Sequence, residues 1–212
     1  MDKHEPPIRV DDVRFELPLF ERLLEADQAI QQRFPRQYGA GLESLGLILR
    51  RPADWENGGY YCTPVNSLCF GRTGVDGEHF SFLVQDGVIN NQSPIIVTAP
   101  CAYDSEMPNA VVAETFEDFI GLGLRYGFGA VVEFVWNLPK ALQAYGTEAA
   151  ETEYSYSECD LSLPSEQQEV LLFLRERLQI VPIGYTTEQF EQLQRCYMSC
   201  LRMSAEWDDY SR

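Results

Sequence analysis

Short apolar and aromatic runs, separated by turn residues, dominate the middle of the chain. Leu68 to Phe70 and Phe80 to Val84 flank Thr73-Gly74-Val75-Asp76-Gly77, which supplies residues that tolerate positive φ, so the pattern predicts a β-hairpin. Ile95 to Thr98 follows a polar turn at Asn90 to Pro94 and reads as a further strand, and Ala110 to Ala113 as a third return of the chain. Thr115, with Asp118 three residues on, opens a helix that places Phe116, Phe119, Ile120 and Leu124 on one face. Gly121 and Gly123 lie inside it, each costing about 1 kcal/mol of helix stability relative to Ala, which close backbone packing would explain.

The flanks read as helical. Pro18 to about Arg33 carries Leu19, Leu23, Leu24 and Ile30 near helical spacing, with Pro18 suited to a first turn. Pro35 and Gly39-Ala40-Gly41 end it, and Leu45 to Leu49 is assigned to a strand. Asn57-Gly58-Gly59 is a turn, and Pro64 keeps its neighbourhood irregular or at a sheet edge. A second helix is expected over Ala130 to Asn137, with Val131, Val132, Val135 and Trp136 on its buried side, until Pro139 interferes. Ser165 with Gln168 begins a helix to about Leu178, and Thr186 with Gln189 begins the last, whose stripe is Phe190, Leu193, Tyr197 and Leu201. These two are expected to pair as an antiparallel hairpin against the main body. The fold class is therefore α+β, a mostly antiparallel sheet flanked by helices with a helical C-terminal extension.

Several stretches of the central region resemble the SUKH superfamily, a group of fungal cell-wall synthesis regulators and bacterial immunity proteins. The resemblance rests on four patches in order: Tyr60 to Ser67, Phe70 to Phe80, Pro94 to Val97, and Val112 to Phe119. It spans roughly Phe15 to Gly146; the stretch from Thr147 to Pro164, with five acids and no Lys or Arg, reads as a linker, so the chain divides into a domain over 1–146, an acidic linker over 147–164 and a helical extension over 165–212. What the resemblance implies is recognition of a protein partner without catalysis, with neutralisation of a toxin domain in the cytoplasm as the form known for immunity proteins. A regulatory scaffold without a toxin shares every one of these features.

Charge sharpens that expectation. The net charge is −17, but residues 1–72 hold 11 acids against 9 bases, and residues 175–212 hold 6 against 5. Residues 73–174 hold 16 acids against only Arg125 and Lys140, a balance of −14. So few cations speak against nucleic-acid binding, and the acidity suits a basic protein partner. Asp76, Glu78, Asp104 and Glu106 are the contacts that charge alone suggests. No apolar run approaches membrane-spanning length, and six cysteines behind an N-terminus without a leader pattern suit a reduced, cytoplasmic chain.

Candidate chemistry is sparse. His4 lies in a polar lead-in over Met1 to Asp12, so a histidine mechanism would use His79, with Cys69 or Cys62 and Asp76 completing a thiol triad. The alternative reading is a small-molecule or hydrolytic pocket around Tyr60, Tyr61 and His79. Residues packed so closely around one turn rarely adopt triad geometry, and a cysteine in an apolar run is usually inert. Cys196 and Cys200 lack the further ligands a structural zinc needs, Asp76-Gly77 is explained by turn geometry, and Gly71, Gly74 and Gly77 fit no phosphate loop, so neither metal nor cofactor is expected.

Overall fold

A computed structural model describes residues 6–34, 40–54, 60–102, 107–145, 165–204 and 207. Its centre is a five-stranded antiparallel sheet built from β2 (Ile48–Leu49), β3 (Ser67–Arg72), β4 (His79–Leu83), β6 (Ile95–Thr98) and β7 (Asn109–Ala113), in that spatial order. Two three-residue strands, β1 (Arg14–Glu16) and β5 (Val88–Asn90), pair in parallel outside it. β5 is reached through a turn in which Asp86 and Gly87 both take positive φ, 51° and 67°. The helices are α1 (Pro18–Arg33), α2 (Phe116–Tyr126), α3 (Glu133–Trp136), α4 (Leu138–Tyr145), α5 (Ser165–Leu178) and α6 (Thr187–Tyr197). The expected α+β class holds, and no single helix among the described residues is long and apolar enough to cross a membrane.

The sheet buries both faces, and alternation along the strands decides what lies on each. Phe80 and Phe82 of β4, Ile95 and Val97 of β6, and Val112 of β7 join the main core, where Phe20, Phe70, Phe116, Phe119 and Phe128 interlock. Helices α1, α2 and α5 cover this side, with Val170, Leu171, Leu174 and Leu178 of α5 inside the same core. Leu83, Ile96 and Val111 point the other way, where Leu193 of α6 closes over them. The expected helical hairpin therefore does not form: α5 packs on α1 and α2, and α6 on β7 across the sheet. Amphipathic spacing showed that each helix buries one face, but each found the sheet system rather than the other helix.

Local chemistry sets the element ends. Thr115 accepts a hydrogen bond from the Asp118 amide at 3.0 Å, and Thr186 and Gln189 form a reciprocal capping box at 3.1 and 2.8 Å. Gly121 allows Ile183 to donate its amide to the Gly121 carbonyl at 3.1 Å, and a Cβ at Gly123 would strike the Phe128 ring. Three expectations change. Leu45 ends a 3-10 turn, leaving only Ile48 and Leu49 as strand, because Gly46 turns left-handed between them. Phe134 rather than Trp136 is buried in the Ala130–Asn137 region, which begins as a 3-10 turn before α3. Pro139 falls in the first turn of α4, where a missing amide hydrogen costs nothing, so it opens a helix instead of stopping one. The 147–164 linker and the Asn57-Gly58-Gly59 turn lie outside the described residues.

Strand β7 is an edge, and its exposed backbone is satisfied by a side chain. Gln194 of α6 donates its amide to the Val111 carbonyl at 2.6 Å and accepts from the Val111 amide at 3.2 Å. One carboxamide thus makes the two bonds a neighbouring strand would make. At the other end of α6 the chain returns to the loop before β3. Val65 donates to the Arg202 carbonyl at 2.7 Å, and Asn66 bonds both the Cys200 carbonyl and the Arg202 amide.

Candidate functional site

The β3–β4 turn brings together two of the four acidic positions that charge suggested. Asp76 is exposed at its tip, in a left-handed conformation with φ 48° that Asp tolerates better than most residues. Glu78 is half-buried and committed: it accepts from the Trp136 indole at 2.6 Å and from the Thr73 hydroxyl at 2.9 Å. Its pKa is raised, chiefly by burial and only partly opposed by those two bonds. Asp104 and Glu106 lie outside the described residues.

Apolar side chains surround the tip. Val75 is 57% exposed, and Tyr60 and Trp136 are each 43% exposed. Neither ring is loose. Trp136 is held by its bond to Glu78, and Tyr60 stacks on His79 with ring centroids 6.0 Å apart while lying so close over Gly77 that a Cβ there would meet the ring. Sequence reasoning placed Trp136 in the core and missed this contact, because its partner is 58 residues away and no local pattern connects them.

His79 itself is only 4% exposed, and both ring nitrogens are engaged. Nδ1 lies 2.8 Å from the Gly77 carbonyl, which can only accept, so Nδ1 carries the proton. Nε2 then accepts from the Thr63 hydroxyl at 3.1 Å. Burial pushes its pKa down to about 4, and nearby Arg72 adds to that shift. The register pairs His79 with Arg72 and Cys69 with Ser81, with a bulge between Cys69 and Gly71, so Cys69 and His79 do not face each other across the hairpin. Cys69 donates to the Gly71 carbonyl, and burial holds its thiol up at about 11. Cys62 is likewise buried and raised to about 11, and its carbonyl accepts from Asn109 at 2.9 Å. Tyr61 stacks on Trp207, 5.9 Å between centroids. Tyr60 and His79 therefore meet as a stack, while Tyr61, Cys62 and Cys69 serve elsewhere.

A neutral buried histidine makes folding sensitive to acid. Its folded pKa lies below the unfolded value of 6.5, so its contribution is complete above that value and is lost as pH falls from 6.5 through about 4. The loss amounts to about 3 kcal/mol across that window. The raised carboxyls of Glu78 and Asp27 work with the opposite sign and offset part of it. Urea midpoints measured between pH 7 and pH 4 should fall more steeply for the native chain than for His79→Gln. Equal slopes would mean that His79 charges freely in the folded protein.

A second concavity lies at the far end of the strands. It is a groove of about 640 Å³ between the end of β7, the first turn of α2, the Tyr185 segment and α6. None of its residues featured in the charge-based reading, because it assembles from positions some seventy residues apart. A smaller apolar cleft of about 390 Å³ sits between Phe15, Pro18, Phe20 and Pro52, with the Arg51–Glu21 ion pair at its side. No protein-family model, curated protein or solved structure matches this chain.

Proposed function

We propose that this chain is a protein-interaction module for a basic protein partner and, following its SUKH resemblance, that the partner is a toxin domain neutralised in the cytoplasm of a bacterial cell. One observation carries this reading: an open carboxylate, Asp76, stands among exposed apolar side chains two of which, Tyr60 and Trp136, are fixed by neighbours. Protein interfaces concentrate their energy in such rigid aromatic anchors, with charge around them selecting the partner and speeding encounter. The balance of −14 over residues 73–174 gives that charge its sign.

The test begins with affinity capture of the tagged chain from its native lysate, followed by titration of the purified partner. Trp136→Ala should weaken binding about tenfold or more. Asp76→Asn, which keeps a residue tolerant of positive φ, should chiefly slow association and flatten the salt dependence. A partner that binds both variants as well as the native chain, at low and high salt alike, would remove the hairpin tip from the interface.

A further inference from the structure

The β3–β4 turn holds its carboxylate outward on a closed backbone. Asp76 and Gly77 take φ 48° and 74°, positive at both central positions as a type I′ turn requires, and the Glu78 amide donates to the Val75 carbonyl at 3.0 Å. The Thr73 hydroxyl accepts from the Val75 amide at 3.2 Å and donates to Glu78 at 2.9 Å, which ties the turn to the strand before it. Three consecutive residues then carry three different features. Asp76 is exposed, the Tyr60 ring lies over Gly77, and Glu78 holds the Trp136 indole. Successive Cα atoms are about 3.8 Å apart, so a single side chain of a partner can span all three.

The cations of the chain leave this charge open. Among the described residues no ion pair includes Asp76. Lys140 is taken up by Glu133 at 3.1 Å, and Arg72 lies beside Cys69 and His79. Glu78 has both carboxylate oxygens engaged, one by Trp136 and one by Thr73, so the carboxylate that faces outward is Asp76.

The indole narrows the class of cation. Its one donor is spent on Glu78, so the 43% of Trp136 that is exposed meets a partner through ring carbon. A lysine ammonium is a compact, strongly hydrated charge. An arginine guanidinium is flat and weakly hydrated, and it stacks on an aromatic face while its edge donates to a carboxylate. The exposed Val75 and Tyr60 side chains suit the apolar stem that carries it.

Building on the hairpin tip as the interface, we infer that it seats an arginine side chain of the protein partner, paired with Asp76 and stacked on Trp136. Glu78 is the positioning residue that holds the indole for it.

NMR titration of the full chain at about physiological salt reads this directly from the backbone amides of Asp76 and Gly77. The probes are acetyl-Leu-Arg-Leu-amide and its lysine and citrulline counterparts, citrulline keeping the shape of arginine without its charge. The arginine peptide should bind about threefold more tightly than the lysine peptide and about tenfold more tightly than the citrulline peptide. Asp76→Asn, and Trp136→Leu, which keeps apolar bulk without the ring, should each weaken it about fivefold. Glu78→Ala should weaken it severalfold, whereas Glu78→Gln, whose carboxamide oxygen still accepts from the indole, should stay within about twofold of the native chain. Equal losses in those two variants would overturn the positioning role. The arginine assignment is overturned if that peptide leaves the tip resonances unmoved, if the lysine or citrulline peptide moves them equally, or if Trp136→Leu binds it as the native chain does. The interface itself falls by a different result, a captured partner that binds Trp136→Ala and Asp76→Asn undiminished.

Discussion

Phe70→Ala should destabilise the protein by roughly 3–5 kcal/mol, the range for emptying a large aromatic site in a packed core. The reason is position. Phe70 touches the rings of Phe20, Phe80, Phe82, Phe116 and Phe119, so its removal leaves a cavity bounded by β4, α1 and α2 at once. Those elements are fixed by hydrogen bonds of their own and can collapse only partly into the space. Domains of this size are typically stable by about 5–15 kcal/mol, so the loss is a large share of the total. Leu172→Ala provides the contrast, because that side chain is 55% exposed on α5 and should cost less than about 0.5 kcal/mol. Urea unfolding of the two variants separates them; similar midpoints would show that the aromatic cluster does not hold the layers together.

Gly46→Ala should cost roughly 2–5 kcal/mol, for two reasons that add. Gly46 ends the 3-10 turn at φ 79°, a conformation that a Cβ disfavours. That Cβ would also lie 2.6 Å from the backbone nitrogen of Gly129 and 2.7 Å from its Cα. Backbone cannot rotate away as a side chain can, and the seam is already pinned by the Phe128 amide donating to the Leu45 carbonyl at 2.7 Å. Gly87→Ala isolates the first contribution: its φ is 67°, but the nearest atom to an added Cβ is 3.4 Å away, so about 1–2 kcal/mol is expected. If both substitutions cost the same, the close approach of residues 46 and 129 is not rigid.

The parts of the fold legible in the sequence were those written in local chemistry. The hairpin follows from aromatic runs around Gly74, Asp76 and Gly77, each of which does take positive φ. Thr115 and Thr186 announced their helices because a cap is a contact three residues long. Long-range choices were not legible. Helices α5 and α6 carry clear apolar faces, yet nothing in their spacing says that they cover opposite sides of one sheet. The site divides in the same way. Asp76 could be read from charge and turn position, whereas the bond between Trp136 and Glu78 depends on tertiary geometry alone. His79 was legible as the one histidine worth attention, but its burial and its two occupied nitrogens were not.

The cover supplied by α6 has a consequence for synthesis on the ribosome. Val111 and Gln194, which bond each other, are 83 residues apart, so the strand is made long before its cap. At translation speeds of about 5–20 residues per second, Leu83, Ile96 and Val111 and the open edge of β7 wait roughly 4–17 s for the helix that shields them. During that interval the nascent chain presents an apolar sheet face and an unpaired, uncharged strand, the combination most prone to pairing with a neighbouring chain. Codon choice and chaperone supply over residues 112–194 should therefore affect how much of this protein is recovered folded.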